Sequence, residues 1–142
     1  ALRNFTSFPL TEVLFGDIGA VKVIVAGMKR HPEVAKIQEC GCAAIGHLLY
    51  ETKCNAERLE ESDGIAAVIA AMKVHPEDEG VQYAGCNALW IMCEWAEYRP
   101  LIIAAGGAVT IAKVMEKYIG YPQVRDISLG AMRRLVAQGS VA

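Results

Sequence analysis

Several features that define large classes of protein are missing or scarce in this chain. Its 142 residues contain no apolar run that approaches the roughly 20 residues needed to cross a bilayer, and the longest one, Leu101 to Val109, is interrupted by two glycines. Charge of one sign is also scarce, since 14 basic and 16 acidic residues leave a formal net charge of −2. We therefore expect neither membrane insertion nor a basic surface that binds nucleic acid.

Cysteine is present in an odd number, five, and lacks the spacing of a metal site. The chain has no C-x-x-C pair, and Cys40 and Cys42 would point about 200° apart on a helix. The residues around the cysteines are apolar and helical in pattern, which favours buried, reduced thiols. The expectation is an intracellular, cytoplasmic protein without metal or cofactor, although the nucleus or an organelle stays open as a compartment.

What the chain does contain is a large apolar fraction, 54%, with 21% charged residues. Such a composition is typical of a folded chain, and the length is that of one domain. Strand signals are absent, whereas apolar residues recur at spacings of three and four. The sequence therefore predicts a single all-α domain over residues 1–142.

An internal repeat is the strongest pattern in the sequence. Three segments align: GAVKVIVAGMKRHPEVAKIQECGCAAIGHLL, GIAAVIAAMKVHPEDEGVQYAGCNALWIM and GAVTIAKVMEKYIGYPQVRDISLGAMRRL. Met28, Met72 and Met115 occupy equivalent places, which makes the period 44 and then 43 residues. Each unit is predicted to hold a short first helix, a turn, a second helix (20–30, 65–74 and 108–118) and a third helix. One unit cannot bury its own apolar face, so the units are expected to stack.

Packing inside the units can also be predicted from residue size. The three aligned methionines lie on the apolar face of the second helices and should be interior. The third helices carry small residues at Gly41, Ala44, Gly85 and Ala88. We expect these positions to be small because a helix of the neighbouring unit passes close to them.

The turn, the three helices and the period in the low forties resemble the armadillo repeat. The resemblance is carried by GAVKVIVAGM, DGIAAVIAAM and GGAVTIAKVM, followed by GCAAIGHLL, GCNALWIMC and LGAMRRLVA. HEAT repeats have a similar length but two helices, and the residues before each glycine, as in PLIIAAGG, favour three. The resemblance implies a right-handed α-solenoid of about three repeats, 9–52, 53–97 and 98–142, preceded in residues 1–8 by the end of another repeat.

The first residues, ALRNFT, belong to the same pattern. Subtracting one period from Ala44, Ile45 and Leu48 leads to Ala1, Leu2 and Phe5. These residues would be the last turns of a third helix whose own repeat is incomplete. We therefore expect further repeats, or another subunit, to lie against the N-terminal end.

Catalytic motifs are not recognisable in the sequence. His31 and His75 recur at the end of the second helix, where an imidazole can cap free carbonyl groups. The acidic stretch 57–63 lacks the alternating ligands of a calcium loop, and no serine or cysteine stands in a nucleophile motif. A protein that is not an enzyme is the expectation.

The resemblance implies that the third helices form a concave face that binds another protein. In peptide-carrying armadillo proteins this helix reads W-A-L-x-N, but here only Asn4 keeps the asparagine, and no tryptophan stands at its position. A basic nuclear-import peptide is therefore not the expected ligand. The residues predicted to contact a helix, loop or extended segment of a partner are Asn4, Glu39, His47, Tyr50, Tyr83, Asn87, Trp90, Ile91, Glu94, Arg133 and Arg134.

The sequence leaves alternatives open for the role of Trp90 and for the function of the chain. Trp90 either anchors a partner, as tryptophans often do in interfaces, or covers the edge of the adjacent repeat. At the level of function, the expected interaction module has two alternatives. One is a structural or scaffold subunit of a large assembly, and the other is a regulatory armadillo segment of a multidomain leucine-rich-repeat kinase or GTPase.

Overall fold

The computed structural model describes residues 19–50 and 53–137, and every regular element within these ranges is helical. The predicted all-α class is confirmed for this part of the chain. The expected helix end in residues 1–8 and the first helix of the first unit lie outside it. The elements are α1 (Ala20–Arg30), α2 (Ala35–Leu49), α3 (Lys53–Glu61), α4 (Gly64–Val74), α5 (Glu79–Met92), a short 3-10 helix (Ala96–Tyr98), α6 (Arg99–Ala104), α7 (Gly107–Lys117) and α8 (Pro122–Val136).

The residues that introduce α1, α4 and α7 share a left-handed backbone conformation. Their φ angles are 86° at Gly19, 63° at Asp63 and 92° at Gly106. These positions are 44 and 43 residues apart, so the period of the sequence is also a period of the backbone. Glycine adopts this conformation without steric cost, and aspartate is among the residues that tolerate it.

Gly106, which introduces α7, offers a test of the repeated left-handed conformation. Gly106→Ala is expected to lower the free energy of unfolding by about 1 kcal/mol, because a Cβ is unfavourable at positive φ. Gly27→Ala is the matched control: Gly27 lies within α1, and an added Cβ meets no atom within 4 Å. This control should raise stability by about 0.5–1 kcal/mol. Urea denaturation of both variants measures the two changes, and changes of the same sign would contradict the assignment.

The long helices form two rows. In one row, α5 packs against both α2 and α8, and in the other, α4 packs against both α1 and α7. Each helix of the second row also packs on the helix that follows it in the chain. The core lies between the rows and includes the fully buried side chains Ile45, Leu48, Leu49, Ile69, Met72, Leu89, Met92, Ile111 and Leu135.

Two buried glutamines cap the helices of the second row. The Nε2 group of Gln38 donates hydrogen bonds to Met28 O (3.0 Å) and His31 O (2.8 Å), at the end of α1. Gln82 repeats this pattern one period later, with bonds of 3.0 Å and 2.7 Å to Met72 O and His75 O. The Met28 and Met72 carbonyls belong to the last turn, where the helix itself supplies no N–H donor, whereas the His31 and His75 carbonyls also accept from the backbone N–H groups of Val34 and Asp78. The capping assigned to the histidines is therefore performed by glutamine.

The side chain of His75 has a different role from the predicted one. Its Nε2 atom donates a hydrogen bond to the Pro32 carbonyl oxygen, 2.8 Å away in the preceding unit. One period later, the hydroxyl of Tyr118 donates to the Pro76 carbonyl oxygen at 2.7 Å. Tyr118 thus takes the place of the histidine in the third unit, and in both cases the bond links successive units instead of capping a helix.

The small residues of the third helices serve two purposes. A Cβ added to Gly41 would lie 2.6 Å from Met28 Cγ, and one added to Gly85 would lie 2.5 Å from Met72 Cγ. These glycines make room for a methionine of their own unit, which corrects the prediction that a neighbouring unit approaches there. That approach falls at Gly46, where an added Cβ would lie 3.1 Å from the Asn87 amide nitrogen on α5.

The methionine predictions hold in two of the three units. Met28 and Met72 are buried, at 2% and 1% exposure. Met115 is only partly buried, and Ser128 on α8 stands where the other units have Gly41 and Gly85. The side chain of Met115 is therefore less enclosed than those of Met28 and Met72.

Candidate binding surface

An open groove with a volume of about 280 Å³ runs across the row of α2, α5 and α8. We call it the α2–α5–α8 groove. Four of the predicted contact residues come together in it: Glu39, His47, Tyr83 and Asn87. Its remaining lining residues are Ala43, Glu79, Gly80, Ala84, Gln123 and Val124.

Helical spacing explains why these side chains share one surface. Residues four apart lie on the same face of a helix, and Glu39, Ala43 and His47 follow this spacing along α2. Positions 79, 83 and 87 do the same along α5. Glu79 was missed by the sequence reasoning, although its distance of four from Tyr83 was a usable signal. Gln123 had no such signal, because its place in the groove depends on how α8 lies against α5.

The groove is acidic. Glu39 reaches across to α5, since a Cβ added to Gly80 would lie 2.7 Å from its carboxylate carbon. Glu79 contributes a second carboxylate, and neither lysine nor arginine lines the groove. Lys36 offsets part of this charge from the edge, with Nζ 3.5 Å from Glu39 Oε1 and a side chain that is 75% exposed.

Other predicted contact residues lie apart from the groove. Tyr50, Glu94 and Arg133 are exposed but do not line it. Ile91 is only 6% exposed and lies beside Gly46, so its prediction as an accessible contact is corrected: it packs in the core between α2 and α5. Asn4 lies outside the described residues.

Trp90 packs against α8. Its ring nitrogen lies 3.6 Å from a Cβ added to Gly130, and Arg134 Cζ lies 4.3 Å from the ring centroid. Arg134 Nη1 also donates a 3.0 Å hydrogen bond to the Trp90 carbonyl oxygen. These contacts favour the interpretation that Trp90 covers the edge of the adjacent unit, and they place Arg134 in the same junction.

Arg134 is therefore expected to contribute to stability. Arg134→Ala should lower the free energy of unfolding by about 1–2 kcal/mol, since a hydrogen bond contributes about 1 kcal/mol and an exposed cation–π contact about 0.5–1 kcal/mol. Its neighbour Arg133 is exposed, and Arg133→Ala should change stability by less than about 0.5 kcal/mol. Thermal unfolding of the two variants compares them directly. Equal losses of stability in the two variants would mean that the contact between Arg134 and Trp90 does not stabilise the fold.

The cysteines are not equally buried, which corrects the expectation that all five would be. Cys42, Cys86 and Cys93 are buried, Cys40 is intermediate and Cys54 is exposed. Burial raises the pKa of Cys42 to about 12, with a further increase from Cys86, and burial raises the pKa of Cys86 to about 12. Burial also raises the pKa of Cys93 to about 11. These three thiols are protonated at neutral pH, and a protonated thiol is a poor nucleophile.

No three His, Cys, Asp or Glu side chains within 19–50 and 53–137 are grouped so that they could hold a metal ion. No single helix in these ranges has both the length and the apolar character needed to span a bilayer. One bent pair, Ala96–Ala104 with Gly107–Lys117, reaches those thresholds only when its two parts, inclined at 79°, are combined.

Comparison of the chain with protein-family models, curated proteins and solved structures finds no match. The functional inference therefore rests on the residues and contacts of this chain.

Proposed function

We propose that the chain is a non-enzymatic protein-interaction module of the armadillo type, and that a segment of a partner protein binds in its α2–α5–α8 groove. The observation that carries this proposal is the groove itself. It lies across the three helices that the resemblance assigns to a binding face, and it gathers Glu39, His47, Tyr83 and Asn87. The wider assignment as a right-handed solenoid is part of the same proposal.

The repeated contacts between units support the solenoid. The bonds from His75 to Pro32 and from Tyr118 to Pro76 join successive units at equivalent positions. The packing of α5 on α2 is likewise followed by the packing of α8 on α5. When each unit meets the next in the same manner, the units stack in one direction and build a continuous face.

The side chains in the groove suit a polypeptide ligand. Tyr83 is 43% exposed and offers an aromatic surface with a polar hydroxyl, a combination that is common at interface centres. The Asn87 amide can donate to and accept from a peptide backbone. The carboxylates of Glu39 and Glu79 favour a partner segment that carries a positive charge or exposed N–H groups.

Tyr83→Ala tests this proposal, with Tyr50→Ala as the matched control. Both tyrosines are exposed, at 43% and 63%, but only Tyr83 lines the groove. In quantitative affinity capture from the source cell, partners should be depleted by Tyr83→Ala and retained by Tyr50→Ala. For a captured partner that is then purified, the dissociation constant should rise about tenfold or more, as expected when an interface anchor is removed.

Circular dichroism of both variants provides the folding control, and unchanged helicity is expected. Equal depletion by the two variants, or by neither, would contradict binding in the groove. If the wild-type protein instead purifies only within a stable complex that survives Tyr83→Ala, a scaffold subunit becomes the better description. Analytical size measurement distinguishes an interaction module, which would purify as a 15.3 kDa monomer, from a scaffold subunit, which would remain in a larger complex.

A further inference from the structure

The row formed by α1, α4 and α7 contains a cavity that shares no lining residue with the α2–α5–α8 groove. It opens between α4 and α7 with a volume of about 350 Å³. This size lies within the range of small-ligand sites, about 300–1,000 Å³. Its residues combine an apolar wall with three cations: Met72, Pro76, Val114, Lys73, Lys113 and Lys117.

An equivalent cavity lies one unit earlier, and the two cavities differ in the charge of their lining residues. Between α1 and α4 a cavity of about 210 Å³ is lined by Met28, Lys29 and Pro32, the equivalents of Met72, Lys73 and Pro76. There, however, Ala70 and Val74 stand where the later cavity has Lys113 and Lys117. Stacking of units accounts for a cavity at each junction, but it does not require the two additional cations of the later one.

Two of the three cations are free to meet an anion. Lys117 Nζ is paired with Glu77 Oε2 at 2.8 Å. No salt bridge or side-chain hydrogen bond among residues 19–50 and 53–137 involves Lys73 or Lys113. Both therefore contribute uncompensated positive charge beside the apolar wall. An ammonium group is a point charge that accepts carboxylate or phosphate without a fixed geometry.

We propose that the cavity between α4 and α7 binds a small amphipathic anion, in which a carboxylate or phosphate adjoins an aromatic or short aliphatic group. The apolar part lies against Met72 and Val114, and the anionic group lies between Lys73 and Lys113. The lysines supply charge selectivity and the apolar wall supplies burial. This site is on the other row from the α2–α5–α8 groove, so its test is independent of the proposed function.

The probe is 4-phenylbutyrate, titrated into the whole chain and followed by the ¹H–¹⁵N resonances of Thr110 and Val114. The matched neutral ligand is 4-phenylbutanamide, which keeps the apolar part and lacks the charge. Saturable shifts are expected with the anion, and the neutral amide should bind about five- to tenfold more weakly, as follows from losing two exposed ion pairs. Lys73→Ala combined with Lys113→Ala should weaken binding of the anion by a similar factor.

The earlier cavity allows the converse test in the same molecule. Ala70→Lys combined with Val74→Lys copies Lys113 and Lys117 into the junction of α1 and α4, where Lys29 already stands in the place of Lys73, and 4-phenylbutyrate should then also shift resonances of Met28 and Ala71. The four substituted positions, Lys73, Lys113, Ala70 and Val74, are exposed, so the fold should be retained. The proposal is overturned by an absence of saturable shifts, by equal affinity for the neutral amide, by unchanged binding to the double lysine variant, or by equal binding at both junctions of the unmodified chain.

Discussion

Met72→Ala is expected to lower the free energy of unfolding by about 2–5 kcal/mol, the range for truncating a buried methionine. Met72 is 1% exposed, and its Cγ and Sδ atoms occupy the space that Gly85 leaves open on α5. The methionine therefore fills the junction of α4 and α5, and alanine would leave a cavity that rigid helices can only partly close. Urea denaturation followed by circular dichroism measures the loss.

The matched control is Met115→Ala. Met115 holds the equivalent place in the third unit but is only partly buried, and Ser128 stands at the position aligned with Gly85. Its truncation should therefore cost less than half as much. A cost below about 0.5 kcal/mol at Met72, which is typical of a surface position, would mean that the alignment of the units is wrong.

Gly85 is the residue of α5 that leaves space for the Met72 side chain. A Cβ added there would approach Met72 Cγ to 2.5 Å and Sδ to 2.6 Å. Gly85→Ala should therefore destabilise the protein by about 1–3 kcal/mol through overpacking. In the double variant with Met72→Ala, the added methyl group enters the space that the methionine vacates, so the combined cost should be smaller than the sum.

Gln82→Ala is expected to cost about 2–5 kcal/mol of stability. Gln82 is 2% exposed and donates to two carbonyls at the end of α4, Met72 O and His75 O. Alanine would leave the buried Met72 carbonyl without this donor, at about 1–3 kcal/mol, would remove one of the two hydrogen bonds to the His75 carbonyl, which still accepts from Asp78 N–H, and would add a small cavity. Equilibrium unfolding in urea provides the measurement.

Two further variants distinguish the effect of losing the capping hydrogen bonds from the effect of losing side-chain volume. Gln82→Glu preserves the size of the side chain, but an ionised carboxylate cannot donate to the carbonyls, so a large loss is again expected at neutral pH. Gln123→Ala removes an exposed glutamine and should change stability by less than about 0.5 kcal/mol. If Gln82→Glu were as stable as the parent, the hydrogen bonds would not be the source of the effect.

The candidate site was only partly predictable, and particular residues show why. Glu39, His47, Tyr83 and Asn87 were assigned to one surface through the armadillo resemblance, and their spacing in multiples of four keeps each pair on one face of α2 or α5, which is a local property. Ile91 was misplaced because α2 approaches α5 closely at Gly46 and buries it.

Trp90 was left open for a related reason. Its surroundings are set by Gly130 and Arg134 on another helix, about 40 residues further along the chain. No spacing within α5 carries that information.

The sequence by itself determined the helical class, the periods of 44 and 43, the positions of the turns and, to within one residue, the bounds of α1, α4 and α7. These depend on apolar spacing, glycine and proline, whose effects act within a few residues. Only the tertiary structure decided that glutamine and not histidine caps the second-row helices, that Met72 fills the space above Gly85, and that Lys73 and Lys113 line one cavity. Those outcomes depend on how separate helices dock, and docking depends on the shape of whole surfaces rather than on local spacing.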